Sequence, residues 1–88
     1  PDTSTAFHEA ISRAIYIGSG NQLRIVAPFI DKSKAQVVAS GHEIGVPFEL
    51  TWSCYAGHDR ACGVCGTCID RRKAFAANGL TDPIEYEA

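Results

Sequence analysis

Methionine is absent from all 88 residues and the chain opens on Pro1, so the expectation is a piece of a longer gene product. Long apolar runs are also missing. Nothing approaches the roughly twenty residues that span a bilayer, and no signal-peptide pattern is present, so no membrane partner is expected and a reducing cytoplasm fits best. Charge of one sign is lacking as well. Eight basic side chains face ten acidic ones, for a formal net charge of −2, which argues against a broad electrostatic footprint for nucleic acid or a membrane surface. Repeats, low-complexity tracts and linkers do not occur, so residues 1–88 read as a single piece without a second domain. A chain this short buries a modest core, and a metal staple would contribute much of its stability.

What is present is concentrated. All four cysteines, Cys54, Cys62, Cys65 and Cys68, fall within TWSCYAGHDRACGVCGTCIDRR in the spacing Cys-x7-Cys-x2-Cys-x2-Cys. Cys-x2-Cys pairs in glycine-containing turns point two thiolates at one centre, and four thiolates complete the tetrahedron of a zinc ion. Gly63 and Gly66 sit where such turns fall. Two disulfides or an iron–sulfur cluster are the competing readings. Disulfides fit poorly, because nothing marks the chain as secreted and three cysteines at three-residue intervals make a poor framework. His58 could replace one cysteine but reads as a solvated loop histidine. A closed shell of four protein ligands leaves no position for water, so the metal reads as structural. Four thiolates around one divalent cation leave two excess negative charges, which Arg60, Arg71, Arg72 and Lys73 are near enough in sequence to offset.

Asp2, Thr3, Ser4 and Thr5 offer N-caps, and Phe7, Ala10, Ile11, Ala14 and Ile15 form one stripe at helical spacing, so a helix is expected over residues 5–17. The GSG at 18–20 follows a helix, whereas phosphate cradles follow a strand, so it reads as a C-cap and turn. Residues 23–27 are β-branched and apolar enough for a short strand ended by Pro28. Asp31 or Ser33 caps a second helix running to Gly41, with a short turn to Gly45. Residues 48–54 lead extended into the cysteine loop, and a third helix follows from the last cysteines to Asn78 and Gly79. His8 and His42 read as solvated residues on helix faces. Residues 1–50 thus form a helix–strand–helix section, and residues 51–88 a zinc-binding loop with a terminal helix. One strand cannot make a sheet, so it reads as the edge or last strand of a larger α/β sheet.

The stretches APFIDKSKAQVVASGHEIGVPFELTWSCY and ACGVCGTCIDRRKAFAANGLTDP, in that order, resemble the carboxy-terminal part of the 7-cyano-7-deazaguanine synthase family. The likeness runs from Pro1 to Tyr86, and its most specific part is TWSCY followed by CG-x-C-x2-C. The resemblance implies an α/β, adenine-nucleotide hydrolase-like (Rossmann-like) fold, mostly helical in this piece, with one or two short strands and a four-cysteine zinc loop. It implies an ATP-dependent ligase that converts 7-carboxy-7-deazaguanine and ammonia to 7-cyano-7-deazaguanine in queuosine biosynthesis, a tRNA modification pathway. Its cofactors would be zinc and, in the complete enzyme, ATP with magnesium. The family's phosphate-binding loop, SGG-x-DS, is absent from these residues, so this piece is expected to be inactive without an amino-terminal part that supplies it. A homodimer is left open.

Within the family pattern, Lys34 occupies the position of a lysine that contacts nucleotide phosphates near a helix N-terminus, with Lys32 as its neighbour and competitor. A point charge beside oriented N–H donors suits an anion. Asp2 matches a family aspartate near the active-site loop, although a capping role explains it equally. Trp52 and Tyr55 would pack the metal loop or stack on a flat deazapurine. Arg71 and Arg72 would neutralise the thiolates or reach a substrate carboxylate or phosphate. Catalytic residues are not identified. Two other functions compete: a free-standing zinc-ribbon-like module that binds RNA or protein, and a related ATP pyrophosphatase that thiolates tRNA. The second would need an exposed thiol of lowered pKa, which four cysteines sharing a metal do not offer.

Overall fold

A computed structural model describes residues 1–57 and 59–88; His58, weighed above as a ligand, lies outside them. The chain divides into two compact units, Pro1–Lys32 and Ser33–Ala88.

The first unit is built on helix α1, Thr5–Gly18. Of the four candidate caps Ser4 is the one used. It is extended, and its hydroxyl accepts the Phe7 N–H at 3.1 Å, which satisfies one of the donors a helix start leaves free. The expected glycine-rich stop holds. Ser19 is the C-cap, Gly20 and Asn21 both have positive φ, and the Asn21 N–H returns to Tyr16 O at 2.8 Å. The strand expected over residues 23–27 does not form. That stretch has no regular structure, and among the described residues the one β pairing is an isolated parallel bridge, Ala61 to Tyr86. β-branched composition cannot make a strand where no neighbouring backbone takes up its N–H and C=O groups. Here local polar contacts replace the ladder. The Ser19 hydroxyl accepts the Gln22 and Leu23 N–H groups, and the Arg24 guanidinium lies 4.5 Å from the centre of the Tyr16 ring.

The second unit packs helix α2, Lys34–Glu43, against helix α3, Gly66–Ala77, with a single 3-10 turn, Phe48–Leu50, between them in sequence. Ser33, not Asp31, caps α2, in a reciprocal capping box: its hydroxyl accepts from Gln36 N–H, and the Gln36 side chain accepts the Ser33 N–H at 2.8 Å. Helix α2 also runs past Gly41, where the sequence suggested an end. A Cβ at that position would stand 2.7 Å from the Phe48 ring, so the glycine makes room for a neighbour inside the helix instead of ending it. The first buried cluster forms around that ring. Val38 of α2 and Ala74 and Phe75 of α3 are buried together, with Phe48 and Leu80 against them, and the Phe48 and Phe75 rings meet edge to face at 5.0 Å. Such a pair contributes about 0.5–1.5 kcal/mol beyond its burial. Asn78, the C-cap of α3, ties the two helices by donating to Ala35 O at 2.9 Å and Ala74 O at 2.8 Å.

The capping box gives a direct check on α2. Ser33→Ala removes one bond and leaves the other without its partner geometry, so a loss of about 1 kcal/mol is expected, read as a lower urea midpoint with an unchanged slope. The described residues are mostly helical, as expected for this piece, and the one strand expected among them is absent. No helix among the described residues is long and apolar enough to cross a membrane.

Candidate metal centre

The four cysteines come from three places on the chain. Cys54 ends an irregular segment, Cys62 lies eight positions on, Cys65 is the N-cap of α3 and Cys68 lies in its first turn. One ligand atom from each falls within 4.8 Å of every other, and Cys62 Sγ and Cys68 Sγ are 4.0 Å apart. No disulfide joins them. Four sulfurs around a zinc ion at 2.3 Å define a tetrahedron with edges of about 3.8 Å, so the observed cluster fits one ion of that kind. A 4Fe–4S cluster places each thiolate on a different iron and a 2Fe–2S cluster two on each of two irons, so either spreads the four ligands farther apart.

Backbone N–H groups converge on the sulfurs. Cys54 Sγ accepts from Ala56, Gly57 and Cys62 at 3.3, 2.9 and 3.3 Å, and Cys62 Sγ accepts from Val64 and Cys65 at 3.5 and 3.3 Å. Donors aimed at sulfur stabilise thiolate over thiol, which is the form a metal takes. The Cys62 N–H, set against opposing burial, is the largest influence that holds the Cys54 thiol below its ordinary value, with Ala56 and Gly57 adding to it. The Thr67 hydroxyl, 3.1 Å from Cys65 Sγ, leads the Tyr55 and Cys68 N–H groups in lowering Cys65 to about 5. Cys68 behaves oppositely. It is 1% exposed, and burial pushes its thiol up to about 12. A thiol so placed is disfavoured as a lone anion, and a bound cation is what would offset that burial.

Gly63 has φ of +81°, and a Cβ there would meet Ala88 O at 2.5 Å, so the turn between Cys62 and Cys65 needs glycine. Gly66, expected to serve in the same way, has open space around its Cβ position and simply begins α3. Gly57, not singled out from sequence, is the other constrained position, since a Cβ there would collide with Arg60 O.

The basic residues are placed differently from the sequence reading. Arg71 is buried, and its charge is committed to Asp82: Nε donates to Oδ2 at 2.7 Å, Nη2 to Oδ1 at 3.0 Å, and Nη2 also to Phe48 O at 3.1 Å. It is therefore not free to offset the thiolates. Arg72 is spread over the Tyr86 ring, 3.7 Å from its centre, and donates to Gly63 O and Ala88 O. Arg60 and Lys73 are exposed. Two of the four cations a nucleic-acid-binding module would use are thus engaged within the fold, and that reading is not favoured. Tyr55 is 87% exposed and does not pack the metal loop, whereas the half-exposed Trp52 indole donates to Cys54 O at 3.0 Å. Asp2 and His42 are exposed, and His8 is half-buried. Lys32 is exposed, as is Lys34, the first residue of α2. Lys34 borders two clefts of about 290 and 210 Å³, the smaller also lined by Phe48, Trp52 and Arg71.

Asp82 and Tyr86 are the residues sequence reasoning missed. Asp82 accepts from Arg71, the Ile84 N–H and the Tyr86 hydroxyl. Burial pushes its carboxyl up, but these hydrogen bonds outweigh burial and hold it below the ordinary value. Burial, and then the bond to Asp82, raise the Tyr86 hydroxyl to about 12.

Among curated proteins, one from Methanoculleus marisnigri is 53% identical over 89 residues, covering 99% of this chain and 40% of its own length. One from Methanothermobacter thermautotrophicus is 50% identical over 86 residues, covering 98% and 39%, and one from Archaeoglobus fulgidus 47% identical over 85, covering 96% and 36%. All three bear the name 7-cyano-7-deazaguanine synthase. The chain therefore spans about two fifths of the length of the curated relatives it matches. No solved structure matches it. The family model for queuosine biosynthesis protein QueC matches residues 1–79, and the chain belongs to that family.

Proposed function

We propose that the chain is the zinc-bearing portion of an ATP-dependent ligase that makes 7-cyano-7-deazaguanine from 7-carboxy-7-deazaguanine and ammonia. The observation that carries this reading is identity near 50%, across almost the whole chain, to proteins named 7-cyano-7-deazaguanine synthase. Cys54, Cys62, Cys65 and Cys68 would hold zinc, and the convergent N–H groups on their sulfurs support that assignment. With four protein thiolates the ion supplies cohesion, not a Lewis acid. The four-thiol centre belongs to the part of an adenine-nucleotide hydrolase-like fold that residues 1–88 contribute. The pyrophosphate cradle would come from residues beyond these 88.

Lys34 is the residue proposed to meet the phosphates of ATP, which in the complete enzyme would carry magnesium. Its support is position: an exposed cation on the first turn of a ten-residue helix, where backbone N–H groups point outward. In the complete protein, Lys34→Ala is expected to lower turnover at limiting ATP by about ten- to a hundredfold, the worth of one charge-assisted hydrogen bond of roughly 1.5–3 kcal/mol. Zinc content and melting temperature should not move. An unchanged rate at limiting ATP would return Lys34 to the solvated surface. The reading as a whole is tested by supplying the complete zinc-loaded protein with ATP, ammonia and the carboxylic acid and looking for the nitrile by mass. Absence of the nitrile, with salt-sensitive RNA binding in its place, would overturn it.

A further inference from the structure

Of the three intervals between the cysteines, two are short and ordered locally, by the N–H groups on Cys62 Sγ and by the start of α3. The third, residues 55–61, is long and has no helix or strand among its described residues. Closing an interval of that length costs more conformational entropy than closing the two short ones. The far end of this loop is nevertheless fixed. Ala61 is fully buried, its N–H donates to Glu85 O at 3.2 Å, and its carbonyl accepts the Glu87 N–H at 2.7 Å, forming the parallel bridge to Tyr86. Ile84 and Tyr86 pack against the cluster of Cys54, Ala61 and Cys68. Residues 82–88 are held from α3 by Arg71 on Asp82 and by Arg72 over the Tyr86 ring, and the Tyr86 hydroxyl donates to Asp82 within the segment.

We propose that residues 82–88 form a strap that sets how tightly the four-cysteine knuckle keeps its metal, with Asp82 and Tyr86 as positioning residues that act through Ala61. The strap fixes Ala61, and the next residue, Cys62, both ligates and donates its N–H to Cys54 Sγ. Loosening the strap therefore loosens one ligand and the hydrogen bond that favours the thiolate of a second. Partners that orient ligands typically change metal affinity by about 10–100-fold when removed. The proposal rests on the reading that the thiols hold zinc.

The test is the rate at which zinc passes from the loaded protein to an excess of a chromogenic chelator, measured on the unaltered protein, Asp82→Asn, Tyr86→Phe and Val38→Ala. Val38 lies in the other buried cluster, so its variant reports general destabilisation. Zinc release is expected to be about tenfold faster for Asp82→Asn and faster by a smaller factor for Tyr86→Phe, which removes one hydroxyl and preserves the ring under Arg72. Val38→Ala should leave it nearly unchanged at a comparable loss of melting temperature. In the cobalt-substituted protein the visible thiolate bands of the strap variants should shift or broaden, while those of Val38→Ala keep their shape. If the strap variants release zinc no faster than Val38→Ala at matched stability, the strap has no special hold on the site. Should Asp82→Asn fail to fold, Tyr86→Phe decides by the same comparison. An unaltered protein that binds no zinc would overturn the zinc reading and the strap with it, whereas a tight zinc site indifferent to Asp82 and Tyr86 would overturn the strap alone.

Discussion

Cys68→Ser is expected to abolish metal binding and, with it, the ordered structure around the four cysteines. Cys68 is 1% exposed and sits in the cluster with Cys54 and Ala61. Those are small side chains, and with Cys62, Cys65, Ile84 and Tyr86 only partly buried around them, they bury too little apolar surface to hold an irregular loop closed. On the proposed zinc reading, cohesion comes from the ion. Apparent binding energies of structural zinc sites, about 10–16 kcal/mol, match or exceed the roughly 5–15 kcal/mol by which whole domains are stable, so losing one ligand acts as all or none. Amide exchange should rise to unfolded rates across the cysteine region, and metal content should drop from about one per chain to near zero. Retention of zinc with native exchange rates would mean that Cys68 is not a ligand.

Asp82→Ala should cost about 3–5 kcal/mol, the usual result of stranding one member of a buried ion pair. Both partners are well shielded, with side-chain exposures of 8% for Arg71 and 6% for Asp82, and the change also leaves the Ile84 N–H and the Tyr86 hydroxyl without their acceptor. Removing both charges together, as in Arg71→Met with Asp82→Leu, should be less damaging than Asp82→Ala alone. The carboxyl is held below its unfolded value of 3.8. Its stabilising contribution is therefore complete above that value and is lost as pH falls through the lower folded one. The stability difference between the unaltered protein and Asp82→Ala should accordingly be flat above about pH 5 and shrink below pH 3.8. A difference that stays constant in acid would show that folding leaves the Asp82 carboxyl at its unfolded pKa.

The four-cysteine cluster was legible because cysteine spacing is a local property: Cys-x2-Cys turns and a cysteine at a helix start bring sulfurs together with little help from the rest of the chain. The caps at Ser4 and Ser33 were legible for the same reason, as each acts within three residues. Residues 23–27 misled because β propensity describes a surface to be packed, and a strand exists only where another backbone lies beside it. Gly41 misled because a glycine that makes room for Phe48 looks, in sequence, like one that ends a helix. The ties among Arg71, Asp82, Tyr86 and Ala61 were out of reach. They join residues up to 25 positions apart, and nothing in TDPIEYEA marks Asp82 as buried or Tyr86 as lying beside the cysteine loop.

Metal content and thiol state of the native protein decide most directly whether Cys54, Cys62, Cys65 and Cys68 form one structural zinc centre. Native mass spectrometry and elemental analysis should find about one zinc per chain, with four thiols that resist alkylation until a chelator is added and then react together as residues 54–68 unfold. Iron in place of zinc, or a metal-free folded protein whose four thiols titrate freely, would contradict it.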